Sequence, residues 1–286
     1  MKKMIILILV TISMLLLTGD QGSGEEKNTV QIKLGVCDWT LGKGGDPAAL
    51  ELAAKLGLDG VQVSLNPAGE TLALAEESLR KTYLDLSERT GTAIASFAIG
   101  ELNNIPLKSD PRAEKWLEQS IDICRAMNVK IVLVPFFGKG DLRKDPHGTE
   151  AVIERLKRLG PKAEKAGVIL ALESWLSAED HLKIIERIGS RAVRVYYDVG
   201  NSQEAGFDIL KEIRVLDGRI CQFHAKDYKD LYGKGSMDFA GVRKAMTDIG
   251  YQGWLVIEGT VLPLGVEKSI LYDADYLKTV FSKKER

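Results

Sequence analysis

Short apolar runs with the alternation or β-branching of strands return eight times in this chain, and helical patterns fill the intervals between them. The runs lie at residues 30–37, 60–65, 92–99, 130–136, 168–174, 192–198, 219–225 and 254–258. The intervening patterns carry helix signals. Asp46-Pro47 reads as an N-cap followed by proline in the first turn. Trp116, Leu117, Ile121, Cys124 and Met127 share one stripe, as do Ile270, Ala274, Leu277 and Phe281. Glycines stand where helices should stop, at Gly57, Gly91, Gly160 or Gly167, Gly189 and Gly250. Strands that alternate with helices imply a parallel sheet, and eight such units predict closure as one α/β domain, a single (β/α)8 TIM barrel over residues 25–286. An open doubly wound sheet is the competing arrangement. No GxGxxG follows the first run and no P-loop occurs, so a nucleotide crevice has little support.

Residues 1–24 read as a secretory signal outside the fold. Lys2 and Lys3 precede an apolar stretch over residues 4–17, and Gly22-Ser23-Gly24 offers small residues for cleavage. That stretch is shorter than the roughly 20 residues a membrane span needs. A lipoprotein signal would place a cysteine near Asp20, and there is none. The expectation is an exported protein, periplasmic or secreted, with no stable membrane span after cleavage. An uncleaved N-terminal anchor is the alternative. The three cysteines, Cys37, Cys124 and Cys221, show no CxxC spacing and read as buried small hydrophobes rather than a disulfide or thiol ligands. A net charge of −1 gives no basic excess, so nucleic acid is not an expected partner.

Four consecutive runs end on a group that can ligate a metal. Residues 168–174 carry Glu173, residues 192–198 end on Asp198, residues 219–225 carry His224, and residues 254–258 end on Glu258. In such barrels the chemistry sits at the C-terminal ends of the strands. Three carboxylates and an imidazole form a hard, oxygen-rich set suited to one divalent ion, Mn²⁺ or Mg²⁺ first and Co²⁺ or Zn²⁺ next. Taken singly, each acid could instead cap a helix or pair with a lysine. The period of a strand puts Lys226 on the same side as His224, at the same mouth, where it would touch a substrate oxygen. Trp39, at the end of the first run, and Trp175, two residues after Glu173, offer faces for a sugar ring, with core packing the alternative for Trp39. His147, in the loop KDPHGT on the mouth side, is a candidate substrate contact or a plain surface histidine. Gln62 and Ser64 share one strand face and are weaker pocket candidates. His181 reads as solvated, and Glu179 as a first-turn helix acid.

The segments LALES, YYDVGN, FHAKD, GKGSMDF and GYQGWLVIEG resemble those of the xylose isomerase-like barrel superfamily, in particular its sugar (phosphate) isomerase/epimerase branch. The resemblance covers residues 33–286 and is strongest after Val168. It implies that Glu173, Asp198, His224 and Glu258 bind one divalent metal, and that Glu173 and Glu258 also act as acid and base. The implied chemistry is proton removal next to a carbonyl, with the enediolate charge stabilised by a Lewis acid. Returning the proton gives epimerisation or isomerisation of a small sugar or polyol, expected to be unphosphorylated because the chain reads as exported and the loops KDYKDLYGKG and GTVLPLG offset their lysines with aspartates or carry none. Loss of a β-hydroxyl gives instead a lyase or dehydratase acting on a keto-sugar, inosose or keto-glycoside. A non-catalytic sugar-binding barrel is a further alternative, and the oligomeric state is left open. Two positions depart from the pattern. Many relatives carry histidine where this chain has Asn201, which can orient a hydroxyl but cannot transfer a proton. Ketose 3-epimerases use an arginine six residues after the metal histidine, where this chain has Asp230. Repair endonucleases of the same superfamily use many histidines around three zincs, and three histidines in all cannot furnish that cluster.

Overall fold

The computed structural model describes residues 31–259 and 261–282. The expected signal at residues 1–24 lies outside them. Eight parallel strands close into a barrel in sequence order: Gln31–Cys37, Gly60–Ser64, Ala93–Ala98, Ile131–Phe136, Ile169–Ser174, Val193–Asp198, Ile220–Ala225 and Gln252–Ile257. They are numbered one to eight below. Strand one pairs with strand eight from Gln31↔Gln252 to Val36↔Ile257, which shuts the ring. The sequence-based strands all fall on barrel strands. Strand eight starts two residues before the predicted run and stops at Ile257, one short of Glu258. A two-stranded ribbon, Pro67–Ala68 against Thr71–Leu72, was not anticipated.

The alternation of side chains sorts two apolar layers. Val132, Val134, Leu170, Leu172, Val195 and Tyr197 belong to the large core between strands and helices. Ile131, Leu133, Ala171 and Tyr196, the residues between them, form a separate cluster inside the barrel. Each fully buried side chain of this size contributes about 1.5–3 kcal/mol. The outer helices are delimited by local chemistry. Pro111–Met127 opens with proline in its first turn and Asp110 accepting from the Arg112 backbone N–H. Pro146–Ala166 runs through Gly160 and Pro161 and stops at Gly167, whose φ of 65° is the left-handed conformation glycine tolerates. Of the two predicted stops, Gly167 is the one used.

Two pairings slip in register, between Val61 and Gln62 and between Val195 and Tyr196. Such irregularities re-aim side chains and favour functional ends of barrels. Beside that apolar cluster the interior holds a polar group: Gln62 Nε2 and Gln222 Nε2 both donate to Ser96 Oγ, at 3.0 and 2.9 Å.

Candidate metal centre

Strand ends five to eight bring Glu173, Asp198, His224 and Glu258 together, one ligand atom of each lying within 4.8 Å of the others. The imidazole Nδ1 of His224 sits 2.8 Å from Glu173 Oε1, 3.4 Å from Glu258 Oε2 and 3.8 Å from Asp198 Oδ2. Glu258 follows its strand, yet its backbone N–H still bonds to the Ala225 carbonyl, so it continues the ladder one step past the Ile257–Ala225 pair, beside Lys226. Glu173, Asp198 and His224 are buried, and the Glu258 side chain keeps 19% exposure.

The roles of helix cap and lysine partner exist here alongside the cluster. Asp198 Oδ1 accepts from the Asn201 N–H and caps the short helix Val199–Glu204, which leaves Oδ2 for the cluster. Lys226 Nζ lies 2.6 Å from Glu258 Oε2 and 3.2 Å from Asp198 Oδ2. Its stem crosses Gly200, where a Cβ would stand 2.7 Å from Lys226 Cβ. Burial pushes the Lys226 pKa down, but Asp198 and Glu258 outweigh it and hold the ammonium above its ordinary range. Burial raises the Asp198 carboxyl, with Lys226 opposing. Burial also pushes Glu258 up, but the charges of His224 and Lys226 win and hold it below the usual carboxylate range.

The donors fit a divalent ion. Three carboxylates against one lysine leave two negative charges when the imidazole is neutral. Hard oxygen donors plus one nitrogen suit Mg²⁺, Mn²⁺ or Zn²⁺. Donors about 2.0–2.2 Å from one ion lie at most about 4.4 Å apart, so the cluster needs only small side-chain adjustments.

The cluster opens into a cavity of about 380 Å³. Glu173, Glu258, Lys226, Asn201 and Trp39 line it, and so does Ser64. Trp39 Nε1 donates to Glu258 Oε1 at 3.2 Å, so its indole holds a cluster member as well as a wall. Two expected substrate contacts are not in the lining. Trp175 stands one layer back, edge-on to the cavity residue Phe137 at 4.9 Å between ring centroids, with the Arg143 guanidinium 4.5 Å over its own ring. His147 is exposed in the first turn of Pro146–Ala166, because helix begins where a loop was expected. His181 is corrected too. It is buried; its Nδ1 side faces the Ser177 carbonyl and its Nε2 faces Ser174 Oγ at 2.9 Å. Burial pushes its pKa down to about 4.

Asn66, Asn103, Phe137 and Tyr228 also line the cavity, and sequence reasoning missed them. Tyr228 OH donates to Asn201 Oδ1. Their loops carry no periodic pattern, although Asn66 follows Ser64 by two and so continues that strand's face. Asp38, fully buried, was missed as well; it accepts from Ser64 N, Ser64 Oγ and Gly45 N and ties the first loop to strand two. The three thiols are free, Cys37 and Cys124 buried and Cys221 partly so.

Fold and site together define a (β/α)8 barrel with a hard-ligand cluster at its C-terminal mouth. The chain belongs to the xylose isomerase-like TIM barrel family, whose profile matches residues 50–280. It is 26% identical over 225 residues to a 2-epi-5-epi-valiolone 7-phosphate 2-epimerase of Actinoplanes, covering 75% of this chain and 81% of that one. It is 25% identical over 236 residues to a putative L-ribulose-5-phosphate 3-epimerase of Escherichia coli, covering 74% and 82%. Its fold is similar to that of a 3-keto-D-glucoside 4-epimerase from E. coli, with a TM-score of 0.74 at 15% identity over 87% of this chain and all of the other.

Proposed function

We propose that this protein is a divalent-metal-dependent epimerase or isomerase that moves a proton next to the carbonyl of an unphosphorylated sugar or oxidised polyol. One observation carries the reading: Glu173 and Glu258 face the same cavity while sharing a ligand cluster with Asp198 and His224. The epimerase relatives support the epimerase class, although the two curated ones are named for phosphorylated substrates. A divalent ion held by the four residues would supply Lewis-acid stabilisation of the charge left on the substrate. Glu258, kept ionised by Lys226 and oriented by Trp39, is poised to exchange a proton with the substrate carbon. Glu173 enters from strand five, three places round the ring from strand eight, and so reaches the substrate from a different direction. Proton removal on one face and return on the other inverts the centre. Asn201 commits its Oδ1 to Tyr228 and Lys226, leaving Nδ2 to donate to a substrate hydroxyl.

The unphosphorylated substrate rests on the cavity wall. Among the described residues, Lys226 is the one cation that lines it, and two carboxylates already hold that ammonium. Asn66, Asn103 and Ser64 suit hydroxyl groups better than a dianion. We also infer export of a mature domain from residue 25 on, on the strength of the N-terminal sequence. Mass spectrometry of the protein from the periplasm and medium of an expressing bacterium tests that inference, and an intact N-terminus in the cytoplasm would refute it.

The test of function is NMR in D₂O. Metal-loaded protein is incubated with a panel of keto-sugars and inososes. Solvent deuterium at the carbon beside the carbonyl, in a product of unchanged formula, is expected. Release of water or an aglycone would replace the proposal with a lyase. No exchange on any member of the panel would remove it.

A further inference from the structure

We propose that Gln62 is a positioning residue for the metal centre: its Oε1 accepts the hydrogen of His224 Nε2 and so commits Nδ1 to present its lone pair to the ion. The inference rests on reading the cluster as a metal centre. It assigns a role to a residue that lies beneath the cavity instead of in its wall.

The geometry is directional. His224 turns Nδ1 toward all three carboxylates, and turns Nε2 down into the barrel. There Nε2 meets Gln62 Oε1 at 2.7 Å and Cys37 Sγ at 3.5 Å. A neutral imidazole carries one hydrogen. If Nδ1 binds the ion, that hydrogen is on Nε2 and needs an acceptor in a place closed to water. His224 is 1% exposed and Gln62 is 0% exposed, so solvent cannot substitute. The Cys37 thiol is a weak acceptor, and its Sγ is placed to donate to the same Gln62 oxygen at 3.3 Å.

The amide is itself held. Gln62 Nε2 donates to Ser96 Oγ, which also takes Gln222 Nε2. The oxygen end of Gln62 is thereby turned to His224 and the nitrogen end away from it. The register slip between Val61 and Gln62 falls at the residue that does this. The competing state has the hydrogen on Nδ1, where it would donate to Glu173 and close the nitrogen to a metal. Gln62 selects between the two tautomers. Partners of this kind behind a ligating histidine typically change metal affinity by about 10–100-fold.

The experiment has two arms. First, Mn²⁺ dissociation constants are measured by equilibrium competition for wild type, Gln62→Met and Gln62→Glu, with circular dichroism and thermal melting as checks of folding. Gln62→Met keeps the volume and loses the acceptor; about 10–100-fold weaker binding is expected. Gln62→Glu keeps an acceptor oxygen and should bind within about threefold of wild type. A Gln62→Met protein that binds Mn²⁺ as wild type does would overturn the inference. Second, long-range ¹H–¹⁵N spectra of wild type loaded with diamagnetic Mg²⁺ report the tautomer without any substitution. Three histidines in the chain make the assignment tractable. Hydrogen on Nε2 of His224 is expected, and hydrogen on Nδ1 would overturn the inference even if no variant folds. Wild type that binds neither ion would remove the metal reading itself, whereas a metal-binding wild type with an indifferent Gln62 would remove only this assignment.

Discussion

Replacing Glu258 with glutamine tests the proton-transfer role with the least change of shape. Both carboxylate oxygens are in use: Oε1 takes the Trp39 indole N–H at 3.2 Å, and Oε2 lies 2.6 Å from Lys226 Nζ. An amide offers one oxygen, so one of these donors must face the new NH₂ group. Losing a hydrogen bond to a charged group costs about 1.5–3 kcal/mol. Lys226 keeps Asp198 at 3.2 Å, so its charge is not stranded and the fold should stand. The larger effect is on chemistry. The amide is no base, and loss of a general base slows turnover by about 10²–10⁴-fold, a barrier increase of roughly 3–5 kcal/mol. The assay is kcat on the sugar found by the NMR panel, at saturating Mn²⁺, with the metal content of Glu258→Gln measured on the same sample. A fully loaded variant that turns over within tenfold of wild type would take Glu258 out of the mechanism.

His181 makes a pH-dependent contribution to stability. Its folded pKa of about 4 lies below the unfolded value of about 6.5, so the unfolded chain binds the extra proton; stability present above pH 6.5 is lost as pH falls toward 4. Urea unfolding at pH 7 and pH 4.5 should show wild type losing about 2 kcal/mol more than His181→Gln, and equal losses in the two proteins would contradict the burial argument. For the sugar that proves active, the free form should have a higher kcat/KM than its phosphate ester. A tenfold preference for the ester, about 1.4 kcal/mol of transition-state binding, would mean that the cavity or its loops supply an anion site and would refute the unphosphorylated reading.

The barrel was legible because its signals are local. Each strand is an apolar run flanked by helix stops, and four of them carry Glu173, Asp198, His224 and Glu258 at or next to the last strand residue. Convergence then follows from closure of the ring. Positions that depend on how loops return were not legible. Trp175 and His147 were placed at the mouth by proximity in sequence, but Phe137 fills the wall ahead of Trp175, and a helix start carries His147 to the surface. His181 looked solvated because its neighbours Glu179 and Asp180 are polar; the helix Ala178–Ile188 nevertheless turns it inward onto Ser174. Gln62 was visible as a polar residue in an apolar strand. Its partner across the barrel, 162 residues away, was not.

The most direct test of the central claim is the metal content of protein purified without chelator, read by elemental analysis before and after incubation with Mn²⁺. Binding by Glu173, Asp198, His224 and Glu258 predicts one divalent ion per chain, lost from His224→Ala under the same conditions. A folded wild-type protein that holds no ion after Mn²⁺ loading, or a His224→Ala variant that holds as much as wild type, would contradict it.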